Sequence, residues 1–231
     1  LKEADVIIYA GSLVNKGLLE YAKEGCEVYN SAYMTLEEVI EVMIKSEKED
    51  KMTVRLHTGD PCLYGAIREQ MDILDEKGIA YDYCPGVSAF CGAASALNLE
   101  YTLPEVSQSV IITRTEGRTP VPEREKIMSF AAHGATMVLF LSTGLLEKLV
   151  KELLAGGYAS DTPAAIVYKA TWPEEEAYVC TIDTLVETAR KHQITKTALI
   201  LVGNVVTHSH YERSKLYDPG FTTEFRKGSD S

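Results

Sequence analysis

The chain has 231 residues, 34 acidic and 23 basic, for a formal charge of −11, and 45% of its side chains are apolar. That is a globular composition, with enough chain to bury on the order of 70% of its unfolded surface in one large domain or two small ones. The acidity argues against nucleic acid or a membrane surface as partner, since both call for a basic face, and no apolar run approaches the ~18 residues of a bilayer span. Leu1-Lys2-Glu3-Ala4-Asp5 reads as the end of a helix, so an element is expected upstream of it. Val6-Ile7-Ile8-Tyr9-Ala10 then reads as a buried strand, Leu18 to Lys23 as helical, and Glu27-Val28-Tyr29 as a short strand. Thr35 with Glu38 three residues on is a capping box, opening a helix whose apolar face is Leu36, Val39, Ile40, Met43 and Ile44. Met52 to Leu56 is the next strand, followed by the loop His57-Thr58-Gly59-Asp60-Pro61. A helix then turns Ile67, Met71 and Leu74 inward and stops at Gly78. Tyr81 to Cys84 reads as a strand, Pro85-Gly86-Val87-Ser88 as a turn, and Ala89 to Leu97 as a small-residue helix.

The stretch Asn98 to Gln108 is polar, holds Pro104 and follows neither period, which suggests a domain boundary there. The second half opens with the strand Ser109 to Thr113 and a long irregular loop, Arg114 to Pro122, and a helix is expected over Glu123 to Ala132. Thr136 to Leu141 is a strand, and Leu145, Leu146, Leu149, Val150, Leu153 and Leu154 mark a helix. Ala164 to Tyr168 and Ala177 to Thr181 read as strands separated by a turn at Trp172-Pro173. Asp183 to Lys191 reads as a helix and Ala198 to Val202 as a last strand, with a polar, mobile tail from Thr207. Strands alternating with amphipathic helices are the signature of a parallel sheet. The fold class is therefore α/β, in two domains, residues 1–107 and 108–231.

Ligands of open α/β sheets collect at the carboxyl ends of the strands, and four loops qualify: 57–61, 85–89, 114–122 and 168–173. Gly59 lets a ligand approach the backbone, and Asp60 offers a carboxylate to hydroxyl or ammonium donors. Gly, Asp and Pro are also the commonest residues of a plain strand-to-helix turn. Gly86 and Ser88 leave room for a flat ligand, although Ser88 also serves as an N-cap. Arg114, Arg118 and Arg124 concentrate positive charge on a loop stiffened by Pro120 and Pro122. Guanidinium groups so placed suit an anionic ligand. His57 is a general base, a donor to a carboxylate, or a capping side chain. His208 and His210 offer two metal ligands without a third, so no metal site is expected. The five cysteines, Cys26, Cys62, Cys84, Cys91 and Cys180, are scattered and never spaced C-x-x-C, which suits a reduced, cytoplasmic protein. No G-x-S-x-G, H-E-x-x-H, G-x-x-x-x-G-K or G-x-G-x-x-G motif occurs.

Several segments together resemble the tetrapyrrole (uroporphyrin/corrin) methyltransferase family. They are Ala4 to Val14, His57-Thr58-Gly59-Asp60-Pro61-Cys62-Leu63-Tyr64-Gly65-Ala66, Pro85-Gly86-Val87-Ser88, Thr113 to Pro122, Tyr168-Lys169-Ala170-Thr171-Trp172-Pro173 and Leu216-Tyr217-Asp218-Pro219. The G-D-P-x-x-Y-G and P-G-V-S segments look like the wider family, while E-G-R-T-P-V-P and Y-K-A-T-W-P resemble its members that methylate carbon 11 of precorrin-4 or cobalt-precorrin-4. Family members open with a strand and a Gly/Pro-rich loop of the kind G-x-G-P-G-D-P-x-L-L-T, which this sequence does not contain.

The resemblance implies two α/β domains with a cleft between them, of the tetrapyrrole methylase type rather than the common Rossmann methyltransferase, usually as a homodimer. It implies S-adenosylmethionine as cofactor, with S-adenosylhomocysteine as product. Carried over by position, the donor meets Gly59, Asp60, Leu63, Ser88 and Ala89 in the first domain. In the second it meets Leu141, Tyr168 or Ala170, and Ala198 or Leu199. A tetrapyrrole substrate would pair its carboxylates with Arg114, Arg118 and Lys169, and Glu116, His57 and Tyr64 are the candidates to assist loss of the ring proton. The rival readings are methylation of another precorrin carbon, of rRNA ribose or of diphthine, a non-catalytic tetrapyrrole-binding module, and a phosphate-binding α/β enzyme.

Overall fold

A computed structural model of the chain describes residues 1–207 and 211–229. His208 and His210 lie outside the described residues. The chain divides into two compact units, Leu1–Cys91 and Gly92–Ser231.

The first unit is built on β1 (Val6–Tyr9), β2 (Glu27–Asn30), α1 (Leu36–Lys48), β3 (Thr53–Leu56), α2 (Arg68–Glu76) and the start of α3 (Ala89–Ala96). Its sheet has the order β2-β1-β3 with every pairing parallel. All four residues of the central β1 are buried, as an unbroken apolar run in a parallel sheet requires. Val6 and Ile8 pack on Val39, Ile40 and Met43 of α1 and Leu74 of α2, while Ile7 and Tyr9 meet Ala4 and Val14 on the other face. The capping box opens α1 as anticipated, with Glu38 N donating to Thr35 Oγ1 at 3.3 Å and Thr35 N to Glu38 Oε2 at 2.7 Å.

The helical stretch expected over Leu18 to Lys23 is a 3-10 helix, Lys16–Tyr21. One element differs from expectation: Tyr81 to Cys84 join no sheet. The tyrosines that suggested a strand are instead fixed by acids outside any ladder: Tyr81 Oη donates to Asp75 Oδ2 at 3.2 Å, and Tyr83 Oη donates to Asp60.

The second unit contains β4 (Val110–Arg114), α4 (Ile127–Ala131), β5 (Thr136–Phe140), α5 (Leu146–Ala155), β6 (Pro163–Tyr168), β7 (Glu176–Thr181), α6 (Leu185–Lys191) and β8 (Ala198–Val202). Its sheet runs β4-β5-β8-β6-β7. The sheet is mixed, not parallel: β4 and β5 are parallel, but β8 runs antiparallel to β5 and β6, and β6 pairs antiparallel with β7. The short connection through Trp172 leaves β6 and β7 no crossover, so they form a hairpin. Met137, Leu139, Leu149, Leu153, Ile166, Leu185 and Ile200 are fully buried in its core. The helix expected over 123–132 is broken at Lys126, whose extended backbone (φ −63°, ψ 146°) separates a 3-10 turn from α4. Residues 101–107 are tied to this unit, since Thr136 Oγ1 donates to Tyr101 O at 3.1 Å and Thr136 N to Ser107 Oγ at 3.0 Å. The chain therefore changes units inside α3, ahead of the polar stretch that suggested a boundary.

Candidate functional site

In the first unit the parallel strands end together, and three features shape that edge. The first is an arginine inside a strand. Arg55 of β3 is half-buried and has no acid partner among the described residues. Its guanidinium donates to Ile8 O (2.9 Å), Ser31 Oγ (3.0 Å) and Gln70 Oε1 (3.2 Å), and Ser31 Oγ in turn donates to Tyr9 O at 3.0 Å. Gln70 passes the constraint on, its Nε2 donating to Ala66 O at 2.9 Å. Ala66 and Tyr64 both hold left-handed backbone (φ 50° and 59°), and the Gln70 bond fixes that turn. A charged residue in the otherwise apolar Thr-Val-Arg-Leu strand was the sequence signal for this network, and it was not read.

The second feature is the pair of glycine turns. Gly59 sits at φ +59°, and a Cβ there would lie 3.1 Å from Ala89 N and 3.4 Å from Ser88 Cα. At Gly86 a Cβ would lie 2.1 Å from Gly59 O. The two turns thus pack backbone against backbone, which only glycine permits. Asp60 joins them: Oδ1 accepts from Cys62 N at 2.9 Å and from the Tyr83 hydroxyl, and Oδ2 accepts from Gly86 N at 2.9 Å. The Tyr83 hydroxyl foremost, then the Cys62 and Gly86 donors, holds the Asp60 carboxyl well below its usual range, and the same bond pushes the Tyr83 hydroxyl up to about 12. The structure thus brings Gly59, Asp60, Ser88 and Ala89 together. Asp60 spends its acceptors on the protein, so it shapes the turns. Leu63 is half-buried beside them, Tyr64 is exposed, and Val87 is 75% exposed.

The third feature is His57, whose Nε2 is buried with no hydrogen-bond partner among the described residues. Burial first, and then the Arg55 charge, lowers its pKa to about 4, so the ring is neutral near pH 7.

The second unit has its own edge, where β4, β5 and β6 end and β8 begins. Arg114, the last residue of β4, turns back on its loop: Nη1 donates to Thr119 O at 3.0 Å and Nη2 to Pro120 O at 2.9 Å. Glu116 accepts from Val121 N at 3.3 Å, and Lys148 Nζ donates to Glu116 O at 2.8 Å. Buried Ser142 receives Thr115 N at 2.9 Å and donates to Phe140 O at 2.8 Å, anchoring the root of the loop to the end of β5. Arg114 and Glu116 therefore build the loop, while Arg118 is exposed and has no hydrogen-bond or ionic partner among the described residues.

Leu141, Lys169, Thr171 and Thr197 line this edge in left-handed backbone at φ 52°, 46°, 69° and 56°. Each costs about 1–3 kcal/mol and persists only where its surroundings hold it. Those surroundings are visible. Lys169 N donates to Thr197 O at 2.9 Å, Thr171 N to Glu175 Oε2 at 2.5 Å, and Thr143 Oγ1 to Ala198 O at 3.1 Å. The Lys169 ammonium lies 5.4 Å and 5.0 Å from the Tyr168 and Trp172 ring centres and 3.8 Å from Glu174 Oε1. Tyr168 pairs with Ala198 across the ladder. Leu199 is buried in the sheet, so Ala198 is the more accessible of the two. Leu141 stands 60% exposed. Gly92 in α3 lies against the same loop, where a Cβ would come within 3.0 Å of Thr171 Cγ2.

Among the described residues no three His, Cys, Asp or Glu side chains are grouped to hold a metal ion, and no helix is long and apolar enough to cross a membrane.

A three-stranded parallel sheet and a five-stranded mixed one, each with bare or strained backbone at its strand ends, differ from the single doubly wound sheet of the Rossmann methyltransferases. The description of the tetrapyrrole (corrin/porphyrin) methylases matches residues 1–186, and the chain belongs to that family. It is 54% identical over 227 residues to the cobalt-precorrin-4 C(11)-methyltransferase of Methanocaldococcus jannaschii, covering 98% of this chain and 88% of that one. The X-ray structure of a cobalt-precorrin-4 methyltransferase of cobalamin biosynthesis matches at a TM-score of 0.87 and 46% identity, over 89% of this chain and 86% of that one. A uroporphyrin-III C-methyltransferase from Thermus thermophilus, complexed with S-adenosylhomocysteine, matches at 0.74 and 25% identity, over 90% of this chain and 89% of its own.

Proposed function

We propose that this chain transfers a methyl group from S-adenosylmethionine to ring carbon 11 of precorrin-4 or its cobalt form, in cobalamin biosynthesis. The observation that carries the proposal is the near-full-length likeness to a carbon 11 enzyme at 54% identity. The donor residues fit a nucleoside thioether in kind. The Gly59 and Gly86 turns expose backbone without side chains, and Val87 and Leu141 offer exposed apolar surface. By the family resemblance we assign Gly59, Leu63, Ser88, Ala89, Leu141, Tyr168, Ala170 and Ala198 to the donor, with Asp60 setting the shape of the turns.

When bound, the sulfonium supplies an electrophilic methyl group, and the protein's own contribution is orientation and exclusion of water. Orientation alone supplies about 7–11 kcal/mol of barrier reduction in well-aligned systems. Arg118, without a hydrogen-bond or ionic partner among the described residues, is available to a substrate carboxylate. Lys169 is held over two aromatic rings and faces a single, mostly exposed acid, which leaves it able to exchange partners. Of the groups proposed to take the ring proton, Glu116 is occupied in its loop, Tyr64 is exposed, and neutral His57 keeps its Nε2 buried. All three stay candidates in this proposal. Five free thiols accord with a cytoplasmic enzyme, and a homodimer belongs to the same proposal through the family resemblance.

The deciding experiment supplies labelled S-adenosylmethionine with precorrin-4 and with cobalt-precorrin-4 and locates the methyl group by NMR. Label at carbon 11 is the expected result. Label at another carbon would assign the chain to a different step, and pigment retained without label would make it a binding module.

A further inference from the structure

Tyr81 to Cys84 carry two tyrosines yet join no strand, and Tyr83 is 40% exposed. Its hydroxyl does not point to bulk solvent but donates to the most heavily engaged carboxylate of the first unit. That carboxylate also receives Cys62 N, after the Gly59 turn, and Gly86 N, within the second turn, both at 2.9 Å. The clearances show what the lock maintains. Gly59 O lies 2.1 Å from where a Gly86 Cβ would stand, so the turns are closer than any side chain allows. A carboxylate that accepts an amide from each turn ties the two backbone segments together at that distance; such charge-assisted bonds are the stronger ones. Besides the two amides the carboxylate has the Tyr83 hydroxyl, the foremost cause of its lowered pKa, and the Cys62 thiol, so losing the hydroxyl removes the leading side-chain donor.

We propose that Tyr83 is a positioning residue: through Asp60 it locks the Gly59 and Gly86 turns together, and this lock sets the affinity for the methyl donor. The proposal rests on the reading of these turns as part of the donor site. The role it assigns acts through Asp60 and requires no contact of Tyr83 with either reactant. A hydroxyl that fixes ground-state geometry acts on binding of the donor and the transition state alike, so its removal raises KM and leaves kcat at saturation near its original value.

The test is Tyr83→Phe in the full chain, read in three ways. Amide hydrogen exchange at Cys62 and Gly86 is expected to speed by about tenfold. Calorimetry with S-adenosylhomocysteine is expected to show Kd raised by about tenfold, and KM for S-adenosylmethionine should rise by the same factor with kcat within about twofold. The thermal midpoint should stay within about 2 °C, since a half-exposed hydroxyl contributes little to global stability. Asp60→Asn should match or exceed these changes, and adding Tyr83→Phe to it should have little further effect, because both remove one interaction. Unchanged exchange, or wild-type Kd and KM in Tyr83→Phe, would overturn the role of Tyr83. Failure of the wild-type protein itself to bind S-adenosylhomocysteine would overturn the donor reading instead, and the exchange rates would still report whether the lock exists.

Discussion

The two sheet edges expose backbone by opposite means. In the first unit the chain leaves β1 and β3 through Gly11 and Gly59, both left-handed at almost no steric cost. In the second it leaves β5 and β6 through Leu141 and Lys169 and enters β8 from Thr197, all left-handed and none of them glycine. Glycine turns are held by what packs around them, here a carboxylate and a neighbouring turn. The strained turns keep their side chains and are held by hydrogen bonds from Thr171, Lys169 and Thr143. The first edge is suited to receiving a ligand against bare backbone, and the second to presenting side chains in directions that relaxed backbone would not allow.

The comparison breaks most readily at Gly86. A methyl group there meets Gly59 O at 2.1 Å, so Gly86→Ala must spread the turns. Overpacking of this kind costs about 1–3 kcal/mol, and misplacing the donor turns should weaken S-adenosylhomocysteine by about a hundredfold. Urea unfolding and calorimetry measure the two separately. Near-normal binding by Gly86→Ala would mean that backbone proximity is incidental to the site.

The next effect distinguishes two arginines on one loop. Arg118→Ala should weaken tetrapyrrole binding by about tenfold while sparing both stability and the methyl donor, as expected for one charge-assisted contact. Arg114→Ala should instead destabilise the loop, because it removes two bonds to Thr119 and Pro120 carbonyls, by about 1–2 kcal/mol. Hydrogen exchange over residues 115–122 would rise in the second variant only. If both variants lost substrate and donor equally, the division between builder and binder would be wrong.

His57 gives a smaller effect, read through pH. Its folded pKa is about 4, against an ordinary value near 6.5. Between those values the unfolded chain binds the extra proton, so stability rises with pH across the window and is lost as pH falls from about 6.5 toward about 4. The ring is only partly buried, and after allowance for solvent screening the loss is about 1 kcal/mol. His57→Gln should flatten that part of the thermal-midpoint profile while leaving the alkaline side unchanged. A profile identical to wild type would show that the ring is solvated in solution.

Which of these features the sequence disclosed follows from how each is built. Gly59 and Gly86 were legible as turn glycines, although the same residues also mark a plain strand-to-helix turn; the family resemblance is what singled them out. The central strand and α1 were equally plain, since an unbroken apolar run and a capping box depend on local chemistry. Tyr83 and Arg55 were not read as site residues, because what each binds comes from elsewhere in the chain: Gln70, Ser31 and Ile8 for the arginine, and Asp60 for the tyrosine. The direction of β8 was hidden for a related reason. An apolar strand reads the same in either direction, and only its pairing with β5 and β6 orients it. Arg114 and Arg118 look alike in sequence, and only the carbonyls of Thr119 and Pro120 set them apart.

The smallest expected effect tests whether strain at the second edge is kept for use. Leu141 is 60% exposed and left-handed, so its side chain adds little burial while its backbone is disfavoured. Leu141→Gly removes the clash between Cβ and backbone at φ 52°, at the cost of extra freedom in the unfolded chain. The balance should favour the folded state by about 0.5–1 kcal/mol, measurable by urea unfolding. If the strain serves only the turn, the variant is more stable and binds S-adenosylhomocysteine unchanged. If it serves to aim the leucine at the donor, stability rises while affinity falls by about threefold to tenfold, the loss of one apolar contact. The second outcome is expected, because four strained residues gather at this one sheet edge and a relaxed alternative at Leu141 is a single substitution away.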